Sequence, residues 1–419
     1  MLARVINWDT GVKGEATAIY FPVAQRLQFV DLGCRFYAQA CYDIHHDLHE
    51  LCDSIPIDTL DVILTHLHMD HYSLTPLIPH CCLLNIPKVN AVNIYVPGIP
   101  RTPPEARNIV LRLLALHEIA LKTIARSVGE ALRPIIDLIE RAGIRSKPAV
   151  LYRGNKVNIG GGMHIRVVWP PKEFPQELGS RLEELKRRYG EIVELLRKAC
   201  EHDKDLCKDI ERHEEDARML GKEFETLDQE RERKKEEGEE GYVTVPPDSA
   251  LAKYILPVII YPLPDIHYYH NIYHYHRYYH RPELIEALVK ISDALNDFSL
   301  ILEYYYNNEP IIVIPGDNSD DVLNYVGNLE EKHIGGNVRD VVFLRGAHHG
   351  TYYGKYLNLF RVDIVWLSRH DKGYQYRREY WDNLNTRPSL VLTAQNVTKT
   401  GVIIKSPNEW YVHARKKPF

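Results

Sequence analysis

The chain has 419 residues, 45% apolar and 26% charged, with a formal net charge of −5. That length holds one large core with insertions or two domains, and the composition is that of an ordinary globular protein. A polycation is excluded, so any nucleic acid would have to be met through local basic patches or metal ions.

No apolar run approaches the ~18 residues of a membrane span, and none follows a basic N-terminus as in a signal peptide. Seven cysteines (34, 41, 52, 81, 82, 200 and 207) without CxxC spacing are expected to be mostly reduced core residues, which points to a cytoplasmic protein.

The first hundred residues alternate β-branched or aromatic runs with turn residues. "MLARVINWDT" looks like a strand start, and "ATAIYFP", "RLQFVDLG", "DVILTH" and "AVNIYVP" read as strands. Residues 104–143 predict helix with a break or kink at Pro134. Strands return over 149–169 as "AVLYR" and "MHIRVVW" around a "GGG" turn.

The charged segment 176–240 carries apolar residues at 182, 185, 189, 192, 196 and 199, then at 206, 210, 217, 220, 224 and 227. Asp203 and His213 occupy the two polar steps of this heptad pattern, which predicts a long coiled-coil-like helix or a helical hairpin. Two roles fit it: packing on the 104–143 helix of the same chain, or an arm over 176–227 for a homodimer or a partner protein. "DQERERKKEEGEEG" reads as a solvated linker.

Residues 261–280 hold seven Tyr and five His. Such aromatics could stack on unpaired bases, or simply pack on the body of the protein. A helix, "PELIEALVKISDAL", follows. The strands "FSLILEYYY", "PIIVIPGD", "DVVFLRGAHHG", "VDIVWLS", "SLVLTAQ", "GVIIKSP" and "WYVHARKKPF" complete the chain. Strands therefore stand at both ends with helical material between them.

The densest chemistry lies in "LTHLHMDHYS", where His66, His68, Asp70 and His71 fall within six residues. A strand delivers His66 and His68 from one side of an extended segment, and Asp70 and His71 enter the turn that follows. The two strand histidines can thus hold one divalent ion, while Asp70 and His71 face a second. Imidazole and carboxylate suit Zn²⁺ or Mn²⁺ without any thiolate. Two such ions, roughly 3.5–4 Å apart, can share a hydroxide and clamp a scissile ester.

HxHxDH after a strand resembles the signature motif of the metallo-β-lactamase superfamily. "GEATAIYFP", "FVDLG", "VIPGDNSDD" and "LRGAHHGT" resemble its other segments in order, most closely those of the ComEC/Rec2-type competence nuclease branch. The resemblance covers roughly 1–100, 149–172 and 296–410. It implies a four-layer αββα sandwich, an α/β fold, with helical insertions. The N-terminal half would be 1–103 and the C-terminal half 296–419, with sandwich strands at 149–172. The insertions would be 104–148, the charged 173–240, and the His/Tyr-rich 241–295.

Carried over by position, the resemblance puts His66 and His68 on the first metal and Asp70 and His71 on the second. Asp317 would bridge the two ions, and Asp31 would orient a ligand histidine. His348 or His349 would bind metal or protonate the leaving oxygen, with His348 favoured at that step. Two departures stand out. Relatives often place a last histidine in a Tyr-Gly-His-Pro turn, where this chain has Tyr376, with His370 six residues earlier. The third ligand of the first metal is open among His80, His164, His267, His270, His274 and His276. Arg345, on the strand leading to His348, could meet a phosphate.

The function so implied is a hydrolase with two divalent metal ions (one is possible), acting through a metal-bound hydroxide on a phosphodiester. DNA is the expected substrate ahead of RNA. Two alternatives stand beside it: a hydrolase of small esters of phosphocholine or lactone type, or a weakened metal domain serving as an interaction component of a multi-protein complex, for instance a defence complex.

Overall fold

The protein, a computed structural model, is described over residues 1–10, 14–34, 38–83, 89–124, 135, 145–201, 203–236, 282–368, 388–394 and 397–416. The strands divide between two sheets. One contains β1 (Ala3–Trp8), β2 (Ala16–Phe21), β3 (Arg26–Leu32), β4 (Thr59–Ile63), β5 (Ala91–Pro97) and β6 (Arg145–Leu151). The other contains β7 (Lys156–Gly160), β8 (Met163–Trp169), β9 (Ile301–Tyr306), β10 (Glu309–Ile314), β11 (Arg339–Arg345), β12 (Phe360–Leu367) and β13 (Leu390–Thr393). The last two strands, β14 (Val397–Ser406) and β15 (Glu409–Lys416), return to the first sheet, whose order is β15-β14-β1-β2-β3-β4-β5-β6. The second runs β13-β12-β11-β10-β9-β8-β7.

Period-two alternation explains the stacking. On β3, Leu27 and Phe29 point to the outer core while Val30 points inward. On β12, Val365 and Leu367 face outward and Ile364 and Trp366 inward. The inner faces meet in one apolar layer that joins Ile19, Phe21, Val30 and Ile63 to Leu302, Ile312, Phe343 and Trp366. Helices cover both outer faces, so the architecture is the αββα sandwich that the motifs imply.

Seven α-helices are described: α1 (Ala38–Ser54), α2 (Met69–Tyr72), α3 (Pro104–Ile124), α4 (Gly179–Cys200), α5 (Lys204–Glu236), α6 (Pro282–Leu295) and α7 (Asp320–Ile334). Helix α1 forms in a stretch for which the sequence carries no element expectation. Its buried Ile44, Leu48, Leu51 and Cys52 nevertheless recur at helical spacing and face the first sheet. The Pro134 break and the His/Tyr segment lie outside the described residues.

The heptad segment forms two helices rather than one. Asp203 ends the first and caps the second, its Oδ1 accepting from the Leu206 N–H at 3.0 Å. The other polar step, His213, is buried and sits 2.7 Å from the Tyr189 hydroxyl, linking α5 to α4. The described apolar positions are covered by the chain's own helices. α5 lies along α3, where Arg107 pairs with Glu225 at 3.0 Å and Arg112 with Glu214 at 2.8 Å. α4 lies along α6, where Lys290 pairs with Glu191 at 2.9 Å.

The cysteines depart from expectation. Cys52 is bonded to Cys82, and Cys200 to Cys207. Irregular spacing hid both pairs: the first needs α1 to fold against the turn after α2, and the second spans the corner between α4 and α5. The argument from reduced thiols to a cytoplasmic setting therefore falls. No helix among the described residues is long and apolar enough to cross a membrane.

Candidate metal centre

The parallel register of β3, β4 and β5, and that of β10 to β13, brings several strand ends to one edge of the sandwich. The segment after β4 crosses to the other sheet there, with the Leu300 N–H donating to the Thr65 carbonyl at 2.7 Å. Open α/β sheets place their ligands at such carboxyl ends.

β4 hands over to Thr65, His66 and His68, then to α2 with Asp70 and His71. The rings of His66 and His68 meet edge-on at 4.3 Å between centroids, and those of His66 and His71 lie 3.8 Å apart. Asp317 follows β10 through Gly316, whose φ of +60° and tight packing (an added Cβ would stand 2.7 Å from the Leu300 carbonyl) leave room for glycine alone. His348 and His349 follow β11, both with left-handed backbone (φ 45° and 57°), an arrangement that side chains rarely tolerate and that is found at functional turns.

These elements converge on one oxygen. Asp317 Oδ2 lies 3.4 Å from His71 Nε2, 3.7 Å from His66 Nε2 and 3.9 Å from His349 Nε2. Distances of that size suit donors that share a cation about 2 Å from each better than direct hydrogen bonds. Two buried groups of possible ligands result, His66–His71–Asp317 and Asp317–His348–His349. The residues therefore fit a divalent metal ion.

The surrounding groups orient these rings. His71 Nδ1 faces Asp31 Oδ2 at 3.1 Å. Asp31 in turn accepts from the Thr65 N–H and hydroxyl, both at 2.8 Å, and from Arg345 at 2.7 Å. Asp31 also sits in the left-handed region, at φ 59°. His349 Nδ1 lies 3.0 Å from Glu15 and 2.9 Å from the Ser368 hydroxyl. In both histidines a carboxylate beside Nδ1 leaves Nε2 as the ligating atom. His348 is less buried; its Nδ1 lies 3.2 Å from Asn296 Nδ2 and its ring meets Tyr352 edge-on.

Electrostatics follow from this packing. Burial alone would push the Asp317 carboxyl up, but His71, His66 and His348 hold it well below the usual range. Burial likewise opposes ionisation of Asp31, yet His71 and Arg345 bring it down. Burial would lower His71, whereas Asp317 and Asp31 raise it well above an ordinary imidazole. The metal-free centre thus favours the protonated form of His71, whose proton a bound cation would have to displace. Zinc affinity is expected to climb with pH until the raised His71 value is passed, with about one proton released per centre. Calorimetric titration in two buffers of different ionisation enthalpy measures this, and zero proton release at pH 7 would contradict it.

Several expected residues are placed differently. Arg345, expected to meet a phosphate, is only 1% exposed. Its guanidinium points inside, to Asp31, to the Val30 carbonyl at 3.1 Å and towards Glu15 at 3.8 Å. His164 stacks on Tyr305 in the second sheet, and His80 lies in Pro79–Leu83, near enough to His45 on α1 to act on it. Neither joins the His66–His71–Asp317 group. The side chain of Asp70, and His267, His270, His274, His276, His370 and Tyr376, lie outside the described residues.

One further histidine near the centre is not marked by the sequence motifs. His117 on α3 is 2% exposed, and its ring centroid stands 5.6 Å from that of His68. It adds a further buried imidazole beside His68. The signal was weak, a single histidine on the apolar face of an amphipathic helix.

No family model and no curated protein matches the chain. Among solved structures, one described as a new diphosphatase from the PhnP family is similar at 10% identity and a TM-score of 0.21. The match covers 40% of this chain and 56% of that one, so this chain spans little more than half that structure's length. At that score the likeness carries no argument. The centre stands on its own donor set: imidazoles and a carboxylate from three separate stretches of chain, gathered for a divalent metal ion.

Proposed function

We propose that the protein is a metal-dependent hydrolase of phosphodiesters, with DNA the first substrate to test. A single observation supports this most: His66, His71 and His349, from both sheets, all turn Nε2 towards Asp317. In this reading His66, His68 and His117 would hold one ion and Asp70, His71 and His349 the other, with Asp317 as a carboxylate within reach of both groups. The ions would supply a water of lowered pKa and a positive clamp for phosphate oxygens.

The chain's own groups have separate tasks. Asp31 and Glu15 hold His71 and His349 in the tautomer that leaves Nε2 unprotonated. An Asn296 amide donating to His348 Nδ1 keeps the proton of that ring on Nε2, from which it can pass to a leaving alkoxide. His348 is thereby favoured as proton donor and His349 as ligand, a division the motif by itself left open.

A smaller phosphodiester is the second reading, and the interior position of Arg345 favours it. The basic residue expected nearest the centre does not reach out to a polyanion. Purified protein loaded with Zn²⁺ or Mn²⁺ is to be assayed on single- and double-stranded DNA and on a chromogenic phosphodiester. Cleavage abolished by chelator and by Asp70→Ala supports the hydrolase. Turnover of the small ester with intact DNA selects the second reading, and no turnover of any substrate overturns both.

A further inference from the structure

Helix α1 reads "AQACYDIHHDLHELCDS", with His45 and His49 one turn apart. Residues at i and i+4 share a helix face. These two rings lie 5.1 Å apart between centroids, both half-buried, on the side of α1 turned to the segment Pro79–Leu83. That segment carries His80 and Cys81. The Cys81 sulfur is buried beneath the helix, 3.9 Å from the His45 carbonyl. One ligand atom each from His45, His49 and Cys81 lies within 4.8 Å of the other two. His80 is close enough to act on His45 electrostatically.

We infer that His45, His49 and Cys81 form a second metal site for zinc, separate from the centre at Asp317. The donor set is that of a closed structural site: a thiolate and imidazoles, no residue shared with the Asp317 groups, and two elements to be joined. Around a tetrahedral zinc such atoms stand about 3.3–3.6 Å from one another. Small rotations of the two half-buried imidazoles close the remaining gap. Cys81 is the one free cysteine among the described residues, next to Cys82, which is bonded to Cys52 of α1. A free thiol beside a disulfide invites exchange, and coordination would hold it. The ion and the disulfide would together fasten α1 to the stretch that follows His71.

The other cluster on α1, His46–Asp47–Glu50, does not compete. Its Asp47 is already engaged by the Trp8 indole at 3.1 Å and by Lys399 at 3.2 Å.

Cobalt(II) tests the site, because a thiolate on cobalt gives an intense near-ultraviolet charge-transfer band and the Asp317 centre offers no sulfur. The full chain, purified without reductant so that the disulfides persist, is stripped with chelator and titrated with Co²⁺. The band should saturate at one cobalt per chain and vanish in Cys81→Ser. In His49→Gln the half-saturating cobalt concentration should rise at least about tenfold, as loss of even a supporting group costs metal sites that much. Absence of the band in folded wild-type protein, or its persistence in Cys81→Ser, overturns the site. Should Cys81→Ser fail to fold, an unchanged half-saturation in His49→Gln overturns it instead. None of these outcomes depends on whether the protein is a hydrolase.

Discussion

Asp317→Asn is expected to lower phosphodiester turnover at least about 100-fold while leaving the far-ultraviolet circular dichroism of the protein unchanged. Loss of a group that merely supports a metal ligand costs 10–100-fold, and Asp317 is the oxygen donor that three imidazoles face. Asparagine keeps the volume but removes the charge and one of two ligating oxygens. Metal content should fall with activity, because each ion would lose its shared anion. The substitution also removes the negative charge that, with Asp31, raises His71. The His71 proton should therefore be lost at lower pH in the variant, which imidazole NMR can follow. Wild-type turnover in Asp317→Asn would end the binuclear interpretation whatever the substrate proves to be.

What could be read in advance follows a physical division. His66, His68 and His71 stand out in the sequence because a strand end and the turn after it fix side-chain direction locally, whereas Asp317 and Asp31, from distant strands, enter only through the resemblance of their motifs. His117 does neither. It reaches His68 through the placement of α3 against the first sheet, and a lone histidine on an apolar helix face looks like any core residue. The heptad pattern correctly marked the buried stripe of α4 and α5. Of its two polar steps only Asp203, a cap, stands at the interruption; His213 lies within α5 as a buried partner for Tyr189. The cysteine pairs were invisible because each depends on how elements meet. Arg345 was misplaced on similar grounds. A basic residue before a histidine pair suggests a phosphate contact only until the fold brings Asp31 and Glu15 to either side of it.

That placement makes Arg345 the residue whose loss should weigh most on stability. Arg345→Met keeps the length and apolar stem of the side chain but leaves Asp31, fully buried, and Glu15, 1% exposed, without their guanidinium. Removing one partner of a buried ion pair costs about 3–5 kcal/mol, and that loss is expected in urea unfolding of the metal-free protein at pH 7. His71 remains beside Asp31, so the lower part of that range is the better expectation. The pH dependence separates charge from packing. Asp31 is held below the ordinary carboxylate range in the folded chain. Its contribution is therefore present above the unfolded value, near 4, and is lost as pH falls through the folded one. In the variant the carboxyl is relieved by protonation, so the gap between wild type and Arg345→Met should narrow in acid. A gap that is constant between pH 7 and the acid transition would mean that Arg345 acts by filling space, and that the Asp31 carboxylate beneath His71 is held by Thr65 and the imidazole alone.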